Sequence, residues 1–321
     1  MMEVLIDASN LVKTFDRVDA VHNLTLQVSK GQIYGLVGPD GAGKTTTLRM
    51  LCGAYLPTSG EVRIAGYLMS KQPEMGRALI GYLPQRFSLY EELTVMENLR
   101  FFAEVRGLPS QMWHPRSMEI LDFVGLANFA NRRAGQLSGG MKQKLGLAAA
   151  FVHKPKILLL DEPTTGVDPV TRQDFWQLII KLSLEEQVTV LVTTPYMDEA
   201  SRCTQLGFMR QGQLLLEGSP TELKAPLNGR IFLLQGSPLP LLRDKAKEEP
   251  DVEDAIMFGD RIHLRLREGM KGRNLKRLKK VFKKAGADVT QLQPIPPLME
   301  DVFLAFVQSE KYKPALMKED H

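Results

Sequence analysis

Short apolar runs, separated by polar and glycine-rich turns, dominate the first two thirds of the chain. Residues 4–30 alternate between apolar and polar stretches, which predicts paired antiparallel strands. Three later runs, IYGLV, KILLLD and VTVLVTT, are almost continuously apolar. Such runs are typical of parallel strands that are buried on both faces. The pattern therefore predicts an α/β fold with a parallel core sheet and an antiparallel β subdomain.

Between these runs, apolar residues recur at helical spacing. Residues 94–105, 117–124 and 140–151 show it, and Thr94 is a typical N-cap residue. We expect these segments to form a helical subdomain over about residues 86–150.

The pattern changes after residue 228. A strand, a helix, two strands, a basic helix, a strand and an apolar helix follow in that order, which predicts a small α+β domain. We therefore expect two domains, residues 1–228 and residues 229–321.

The C-terminal segment also holds the basic excess of the chain. From residue 230 onward there are 18 Lys and Arg against 14 Asp and Glu, and the excess peaks in KGRNLKRLKKVFKK, where Leu275, Leu278 and Phe282 lie at helical spacing. One interpretation is an amphipathic helix with a solvated lysine face. The other is a surface that contacts anionic lipid or RNA.

The bulk composition is that of an ordinary globular protein. The 321 residues are 44% hydrophobic and 24% charged, with a net charge of +4. No apolar run approaches eighteen residues and no secretory leader is recognisable, so we expect any membrane role to come through a partner. Cys52 and Cys203 form no metal-ligand spacing and fit a cytoplasmic setting.

The glycine-rich turn after IYGLV carries the strongest chemical signal. Gly38 is followed by four residues and then by Gly43, Lys44 and Thr45, and a helix-compatible stretch follows. The glycines allow backbone N–H groups to point at an anion. We expect Lys44 to reach the β and γ phosphates and the Thr45 hydroxyl to ligate Mg²⁺. The alternative is a glycine-rich turn without a ligand.

Two carboxylates follow the apolar run KILLL. Asp161 is placed to hold Mg²⁺, directly or through water, and Glu162 to polarise an attacking water as a general base. Two adjacent acids at a strand end also occur in a solvated turn, which is the alternative here.

A second anion-binding turn is predicted at LSGGM, where Ser138 would cap the helix that begins with Gly139 and Gly140. One triphosphate does not require two such turns in one chain. Two copies docked head to tail would use both, because each would offer its turn to the phosphate held by the other.

In this order the motifs resemble those of the ATP-binding cassette ATPases of ABC transporters, over about residues 3–225. GPDGAGKTT corresponds to Walker A, Gln85 to the Q-loop, LSGGM to the signature, ILLLDEP to Walker B and GVDP to the D-loop. The C-terminal domain, ending in MEDVFLAF, looks like the appendix on cassettes of the ABC-2 exporter group. The resemblance implies a P-loop NTPase cassette that binds ATP and Mg²⁺.

The resemblance also implies roles for individual residues. Glu162 and Gln85 would be catalytic, and Thr45, Gln85 and Asp161 would ligate Mg²⁺. Phe15 would stack on adenine, although an aromatic residue at this position also suits core packing. The implied nucleotide-contacting set is Phe15, Gly38, Pro39, Asp40, Gly41, Ala42, Gly43, Lys44, Thr45, Thr46, Ser138, Gly139, Gly140 and Asp168. Ser138, Gly139 and Gly140 would complete the site of a partner cassette, and Asp168 would lie at the dimer interface.

The chain departs from the family pattern at three positions. Asp40 stands where the family has asparagine, Met141 replaces the signature glutamine, and Pro195 replaces the switch histidine. A proline offers neither an imidazole nor an N–H group. We therefore expect a site that binds ATP but hydrolyses it slowly, in an asymmetric pair with an intact cassette. In the alternative, Glu162 and Gln85 suffice and a homodimer is active.

The leading hypothesis is an exporter ATPase that acts through membrane permease subunits at the inner face of the cell membrane. Residues 87–98 would dock those subunits, or pack in the core. A soluble cassette acting on ribosomes or nucleic acid is the second hypothesis, although we expect no direct nucleic-acid contact. A nucleotide-binding regulatory module without turnover is the third.

Overall fold

The computed structural model of this chain describes residues 3–86, 88–270 and 275–308. The chain forms two compact units, Met1–Ser219 and Pro220–His321. This division precedes the expected boundary after residue 228, because the short helix Pro220–Lys224 packs against Met299–Gln308 in the second unit.

The first unit contains two sheets. Its strands are β1 (Val4–Phe15), β2 (Val18–Ser29), β3 (Ile33–Val37), β4 (Ser59–Ile64), β5 (Tyr67–Leu68), β6 (Ile80–Leu83), β7 (Ile157–Asp161), β8 (Thr189–Thr194), β9 (Gln205–Arg210) and β10 (Gln213–Gly218). One sheet is antiparallel with the order β2-β1-β4-β5, and the other has the order β10-β9-β3-β8-β7-β6. The predicted antiparallel subdomain and core sheet are both confirmed.

The core sheet is parallel from β9 to β6, and β10 returns as a hairpin. All residues of β3, β7 and β8 are buried, as their continuous apolar sequences predict. Val37 pairs with Thr194, and Thr193 pairs with Asp161. The carboxyl ends of β3, β8 and β7 therefore lie side by side at one edge of the sheet.

Helices surround these sheets in the first unit. They are α1 (Lys44–Leu51), α2 (Pro73–Arg77), α3 (Val95–Val105), α4 (Trp113–Val124), α5 (Gly139–Phe151), α6 (Pro169–Glu185) and α7 (Met197–Ala200). The helices α3, α4 and α5 pack against one another and form the predicted helical subdomain. None of the described helices has the length and apolar character needed to cross a membrane.

The second unit is a small α+β structure. Its elements are α8 (Pro220–Lys224), β11 (Ile231–Ser237), α9 (Leu239–Lys247), β12 (Val252–Phe258), β13 (Arg261–Leu266), α10 (Leu275–Lys284), β14 (Asp288–Pro294) and α11 (Met299–Gln308). The strands form an antiparallel sheet with the order β12-β13-β11-β14. Helix α10 buries Leu278 and Phe282 in the core of this unit, while its lysines are exposed. The basic residues at 271–274 lie outside the described part of the chain.

A capping box fixes the start of α3. The Thr94 hydroxyl accepts a hydrogen bond from Glu97 N at 3.1 Å, and Thr94 N donates to Glu97 Oε2 at 2.8 Å. The predicted N-cap is therefore confirmed, and two backbone donors at the helix start are satisfied.

We expect Thr94→Ala to destabilise the first unit by about 1 kcal/mol, because alanine cannot accept the Glu97 N–H bond. Thr94→Ser keeps the hydroxyl and should stay close to the wild type. Urea unfolding followed by tryptophan fluorescence measures this, since Trp113 and Trp176 both lie in the first unit. Equal midpoints for the alanine and serine variants would contradict the capping role.

Candidate functional site

The glycine-rich loop joins β3 to α1. At two of its positions, neighbouring backbone atoms leave no room for a side chain. A Cβ atom at Gly38 would lie 2.1 Å from the Met209 carbonyl oxygen, and one at Gly43 would lie 2.4 Å from the Ala20 carbonyl oxygen. Gly43 also has a φ of 101°, which L side chains rarely adopt. These two glycines are therefore required by the backbone path of the loop.

Lys44 lies against this loop and is buried, with 4% of its surface exposed. Its Nζ atom donates to the carbonyl oxygens of Gly38 at 2.8 Å and Pro39 at 3.0 Å, and lies 3.0 Å from Glu162 Oε1. The ammonium group is thus held by the loop itself and by one carboxylate.

A cavity of about 430 Å³ opens beside Lys44. It is lined by Ala20, Asp40, Gly41, Ala42, Gly43, Lys44, Thr45, Thr46, Gln85 and Glu162. The structure therefore brings most of the predicted loop residues, the predicted glutamine and the predicted general base to one cavity. Asp40, one of the three departures from the family pattern, lines this cavity and is exposed.

Asp161 lies at the end of β7 and accepts hydrogen bonds from hydroxyl groups of three other segments. Thr45 Oγ1 and Thr193 Oγ1 each donate to Asp161 Oδ1 at 2.9 Å, and Tyr82 Oη lies 3.4 Å from Asp161 Oδ2. Burial, followed by the nearby Asp161 charge, raises the pKa of Tyr82 to about 12. Tyr82 therefore remains a hydrogen-bond donor at neutral pH.

The donor set around Asp161 suits a hard divalent cation. Mg²⁺ prefers oxygen ligands and is usually held by one or two carboxylates with substrate phosphates. The Thr45 hydroxyl and the Asp161 carboxylate supply such oxygens, already adjacent to each other, and Thr45 lines the cavity beside Lys44. The residues present therefore fit MgATP.

Glu162 has its carboxylate turned toward the cavity. Within the described residues, its partners are Gln85 Nε2 at 2.8 Å, Lys44 Nζ at 3.0 Å and Thr165 Oγ1 at 3.3 Å. Its own backbone has a φ of 46°, the left-handed region, which is uncommon for a residue with a side chain.

The segment after β8 contains Pro195, and the hydrogen bonds described for the residues on either side of it do not involve the Glu162 carboxylate. The Thr194 hydroxyl donates to Glu199 Oε2 at 2.6 Å and accepts from Tyr196 N at 3.0 Å. Glu199 is fully buried and also accepts from the Thr164 hydroxyl at 2.5 Å. Pro195 adds no donor to the Glu162 carboxylate.

The remaining predicted residues lie elsewhere. Ser138 caps α5, its hydroxyl accepting from Met141 N at 3.4 Å, and Asp168 caps α6 by accepting from the N–H groups of Val170 and Thr171. Hydrogen bonds from Thr171 lower the pKa of Asp168. Ser138, Gly139, Gly140 and Asp168 do not line the cavity beside Lys44.

Phe15 is 40% exposed at the end of β1. Its ring meets Tyr55 edge-on at 5.5 Å, and Lys13 Nζ lies 5.0 Å from its centroid. Phe15 does not line the cavity beside Lys44, and the exposed ring leaves its predicted stacking role a prediction.

Sequence reasoning missed Thr193, Tyr82 and Thr165 as parts of this site. A signal was present for Thr193, because two threonines close an otherwise apolar buried run. Tyr82 lies close to Gln85 along the chain, but its contact with Asp161 depends on tertiary structure. Thr165 lies three residues after Glu162, and their contact depends on the turn between them.

A glycine-rich loop between a parallel strand and a helix, with a lysine and a strand-end acid, defines a P-loop nucleoside triphosphatase. Residues 21–165 match the ABC transporter family. The chain is 36% identical over 308 residues to an uncharacterised ABC transporter ATP-binding protein of Bacillus subtilis, covering 95% of this chain and 100% of that protein. The chain therefore belongs to the family of ABC transporter ATP-binding proteins.

Other relatives carry more specific names. A probable multidrug ABC transporter ATP-binding protein of Escherichia coli is 41% identical over 84% of this chain and 47% of that protein, so this chain spans about half the length of that relative. A Nod factor export ATP-binding protein of Paraburkholderia xenovorans is 34% identical over 97% of this chain and 99% of that protein. A solved dimeric bacterial ABC transporter cassette is 29% identical, with a TM-score of 0.62, over 67% of this chain and 98% of that structure.

We expect Gly43→Ala to destabilise the first unit by about 3 kcal/mol and to abolish ATP binding, because left-handed strain and a clash with the Ala20 carbonyl add together. Gly41→Ala is the matched control. Gly41 also has a positive φ, 76°, but a Cβ there would have no atom within 4 Å. That variant should lose only about 1 kcal/mol. Urea unfolding and ATP titration measure both effects, and similar losses in the two variants would contradict the packing argument.

Proposed function

We propose that this chain is the ATP-binding subunit of an ABC-2 type exporter, which binds MgATP and couples its binding and hydrolysis to export through separate membrane subunits. The observation that carries the proposal is the convergence of Lys44, Asp161, Glu162 and Gln85 on the glycine loop. Relatives named for multidrug transport and for Nod factor export support the direction of transport.

Nucleotide binding rests on the loop and on Lys44. Backbone N–H groups of the loop and of the α1 N-terminus donate to phosphate oxygens, and Lys44 supplies a buried positive charge. Because Lys44 now contacts Glu162, an incoming phosphate would replace a carboxylate as its anionic partner. Thr45 and Asp161 would hold Mg²⁺, which neutralises developing negative charge on the phosphates when bound.

Hydrolysis rests on Glu162 and Gln85. Glu162 would accept a proton from the attacking water, and Gln85, whose amide donates to Glu162 at 2.8 Å, would orient that carboxylate. Thr165 adds a second donor from the same chain. The cavity side of Glu162 is thereby left for water and phosphate.

The site is proposed to be impaired by Pro195. The family places there a histidine that contacts the γ-phosphate and orients the general base, and Pro195 offers neither contact. Loss of one positioning group in phosphoryl transfer costs orders of magnitude but not all activity. We therefore infer slow hydrolysis at this site.

The second nucleotide contact is proposed to come from a partner cassette. Ser138, Gly139 and Gly140 form a capped helix start away from the chain's own Lys44 cavity, so they are free to complete another site. The dimeric cassette among the similar structures supports such a pairing. Pro195 favours an intact cassette as the partner, whether a separate chain or the other half of a tandem protein, over a second copy.

The membrane subunits are proposed to dock near α3, on the inner face of the cell membrane. Tyr90 and Phe101 are exposed, and their rings meet at 4.9 Å. Exposed clustered aromatic side chains are typical of protein interfaces. Phe87, at the start of the predicted docking segment, lies outside the described residues.

We expect the wild-type chain to turn over MgATP slowly and Pro195→His to raise kcat by at least about tenfold. Glu162→Gln should abolish activity in both backgrounds, because the amide cannot accept the proton from water. Steady-state phosphate release measures kcat, and ATP titration must confirm that every variant still binds.

Two results would change this account. If the wild type turns over as fast as Pro195→His, the site is not impaired and an active homodimer is the better interpretation. If activity survives Glu162→Gln, the assignment of the general base is wrong. A chain that binds MgATP but stays inactive in every variant would be a regulatory nucleotide-binding module.

We expect Phe101→Ser to weaken binding to membrane vesicles that contain the permease by about thirtyfold, as for an aromatic residue at an interface centre. Leu184→Ser is the control, since Leu184 is also exposed and lies on α6. Vesicle sedimentation with the purified chain measures the affinity. Equal losses for both variants, or none for Phe101→Ser, would argue against this docking surface.

A further inference from the structure

Thr193 connects the two acids of the site through one buried hydroxyl group. Its Oγ1 atom donates to Asp161 Oδ1 at 2.9 Å and accepts from Glu162 N, also at 2.9 Å. The residue is 0% exposed and lies on β8, the strand beside β7. One side chain thus fixes both the carboxylate of Asp161 and the backbone of Glu162.

The chemistry of the hydroxyl suits this double role. A hydroxyl has one donor and two acceptor sites, so it can donate to a carboxylate while it accepts from an N–H group. Asp161, when ionised, only accepts. The direction of both hydrogen bonds is therefore determined by the groups involved.

The hydrogen bond from Glu162 N to Thr193 is made by a residue whose backbone conformation is uncommon. Glu162 has a φ of 46°, a conformation that persists only where its surroundings hold it. The Thr193 hydroxyl satisfies the buried N–H group of that residue. Without it, this donor would be unsatisfied, and the left-handed backbone would lose one of its restraints.

The contact with Asp161 affects the oxygen nearest Thr45. Asp161 Oδ1 accepts from Thr193 and from Thr45, whereas Tyr82 approaches Oδ2 at a longer distance. A group that hydrogen-bonds a metal-ligating carboxylate holds its orientation, and losing such a group typically costs 10–100-fold in metal affinity. Among the contacts described for Asp161 from outside the glycine loop and α1, the hydrogen bond from Thr193 is shorter, at 2.9 Å, than that from Tyr82, at 3.4 Å.

We propose that Thr193 is a positioning residue of the Mg²⁺ site, which orients the Asp161 carboxylate for the cation and holds Glu162 at the same time. The inference rests on the proposed function, because it assumes that the cavity binds a nucleotide together with Mg²⁺. It assigns a positioning role to a residue of β8, the strand that precedes Pro195. This role does not depend on the switch histidine that Pro195 replaces.

The test compares Thr193→Val with Thr193→Ser. Valine keeps the shape of threonine without the hydroxyl, and serine keeps the hydroxyl. The affinity for adenylyl imidodiphosphate, a non-hydrolysable ATP analogue, is measured by calorimetry with Mg²⁺ and with EDTA. The gain from Mg²⁺ is the ratio of the affinity with Mg²⁺ to the affinity in EDTA. We expect Thr193→Val to reduce this gain by about tenfold or more while its affinity in EDTA stays unchanged. Thr193→Ser should restore the gain.

Thr189→Val is the matched control. Thr189 lies at the other end of β8, is fully buried and accepts a hydrogen bond from Gly31 N at 2.9 Å. This variant loses a buried hydroxyl from the same strand without touching Asp161, so its gain from Mg²⁺ should match the wild type. Thermal unfolding of each variant checks the fold, and Thr193→Ala replaces Thr193→Val if the latter does not fold.

The outcomes separate this inference from the proposed function. If the wild type gains nothing from Mg²⁺, the proposed MgATP site is wrong. If the wild type gains and Thr193→Val or Thr193→Ala gains equally, Thr193 does not position the site. Equal losses in Thr189→Val and Thr193→Val would show a general effect of strand damage and would also overturn the inference.

Discussion

The parallel register of β3, β8 and β7 determines where the polar groups of the site meet. Val37 pairs with Thr194, and Thr193 pairs with Asp161, so the glycine loop, the segment with Pro195 and the two acids leave the sheet at one edge. A shift by one residue would turn each side chain to the opposite face of the sheet. The hydroxyl of Thr193 would then point away from Asp161, and Thr45 would lose its carboxylate partner.

Burial strengthens the electrostatic interaction between Lys44 and Glu162 at this edge of the sheet. Lys44 and Glu162 are both almost fully buried, and each is paired and hydrogen-bonded, which offsets the cost of removing two ions from water. Removing one partner of such a pair typically costs 3–5 kcal/mol because the other charge is left uncompensated. A triphosphate carries the charge needed to take the place of Glu162 at Lys44. Under the proposed function, the contact between Lys44 and Glu162 would keep the ammonium group beside the loop until a phosphate replaced the carboxylate, which would keep Gln85 and Thr165 as partners.

Most strands and helices could be predicted, because their patterns depend on residues that are neighbours in the sequence. The apolar runs gave the buried strands, and Thr94 gave the start of α3. Helix α2 was missed because five residues are too few to show a period. A turn at Ala65 and Gly66, which both have positive φ, separates β4 from β5. The contacts of Thr193 could not be predicted from spacing, since Asp161 lies 32 positions away and the pair depends on strand register. The same holds for Phe15, whose neighbour Tyr55 is distant in sequence.

The segment that carries Pro195 is held by contacts with neighbouring side chains. Thr194 and Thr164 both donate to the buried Glu199, and the guanidinium group of Arg172 lies 4.3 Å from the ring centroid of Tyr196. These contacts bind the segment to α6, the helix capped by Asp168. Glu199 is fully buried, and these two hydroxyl donors offset the cost of removing its carboxylate from water. The segment around Pro195 is therefore held by hydrogen bonds and ring packing within the chain, and through Arg172 these contacts reach the first turn of α6, which Asp168 caps.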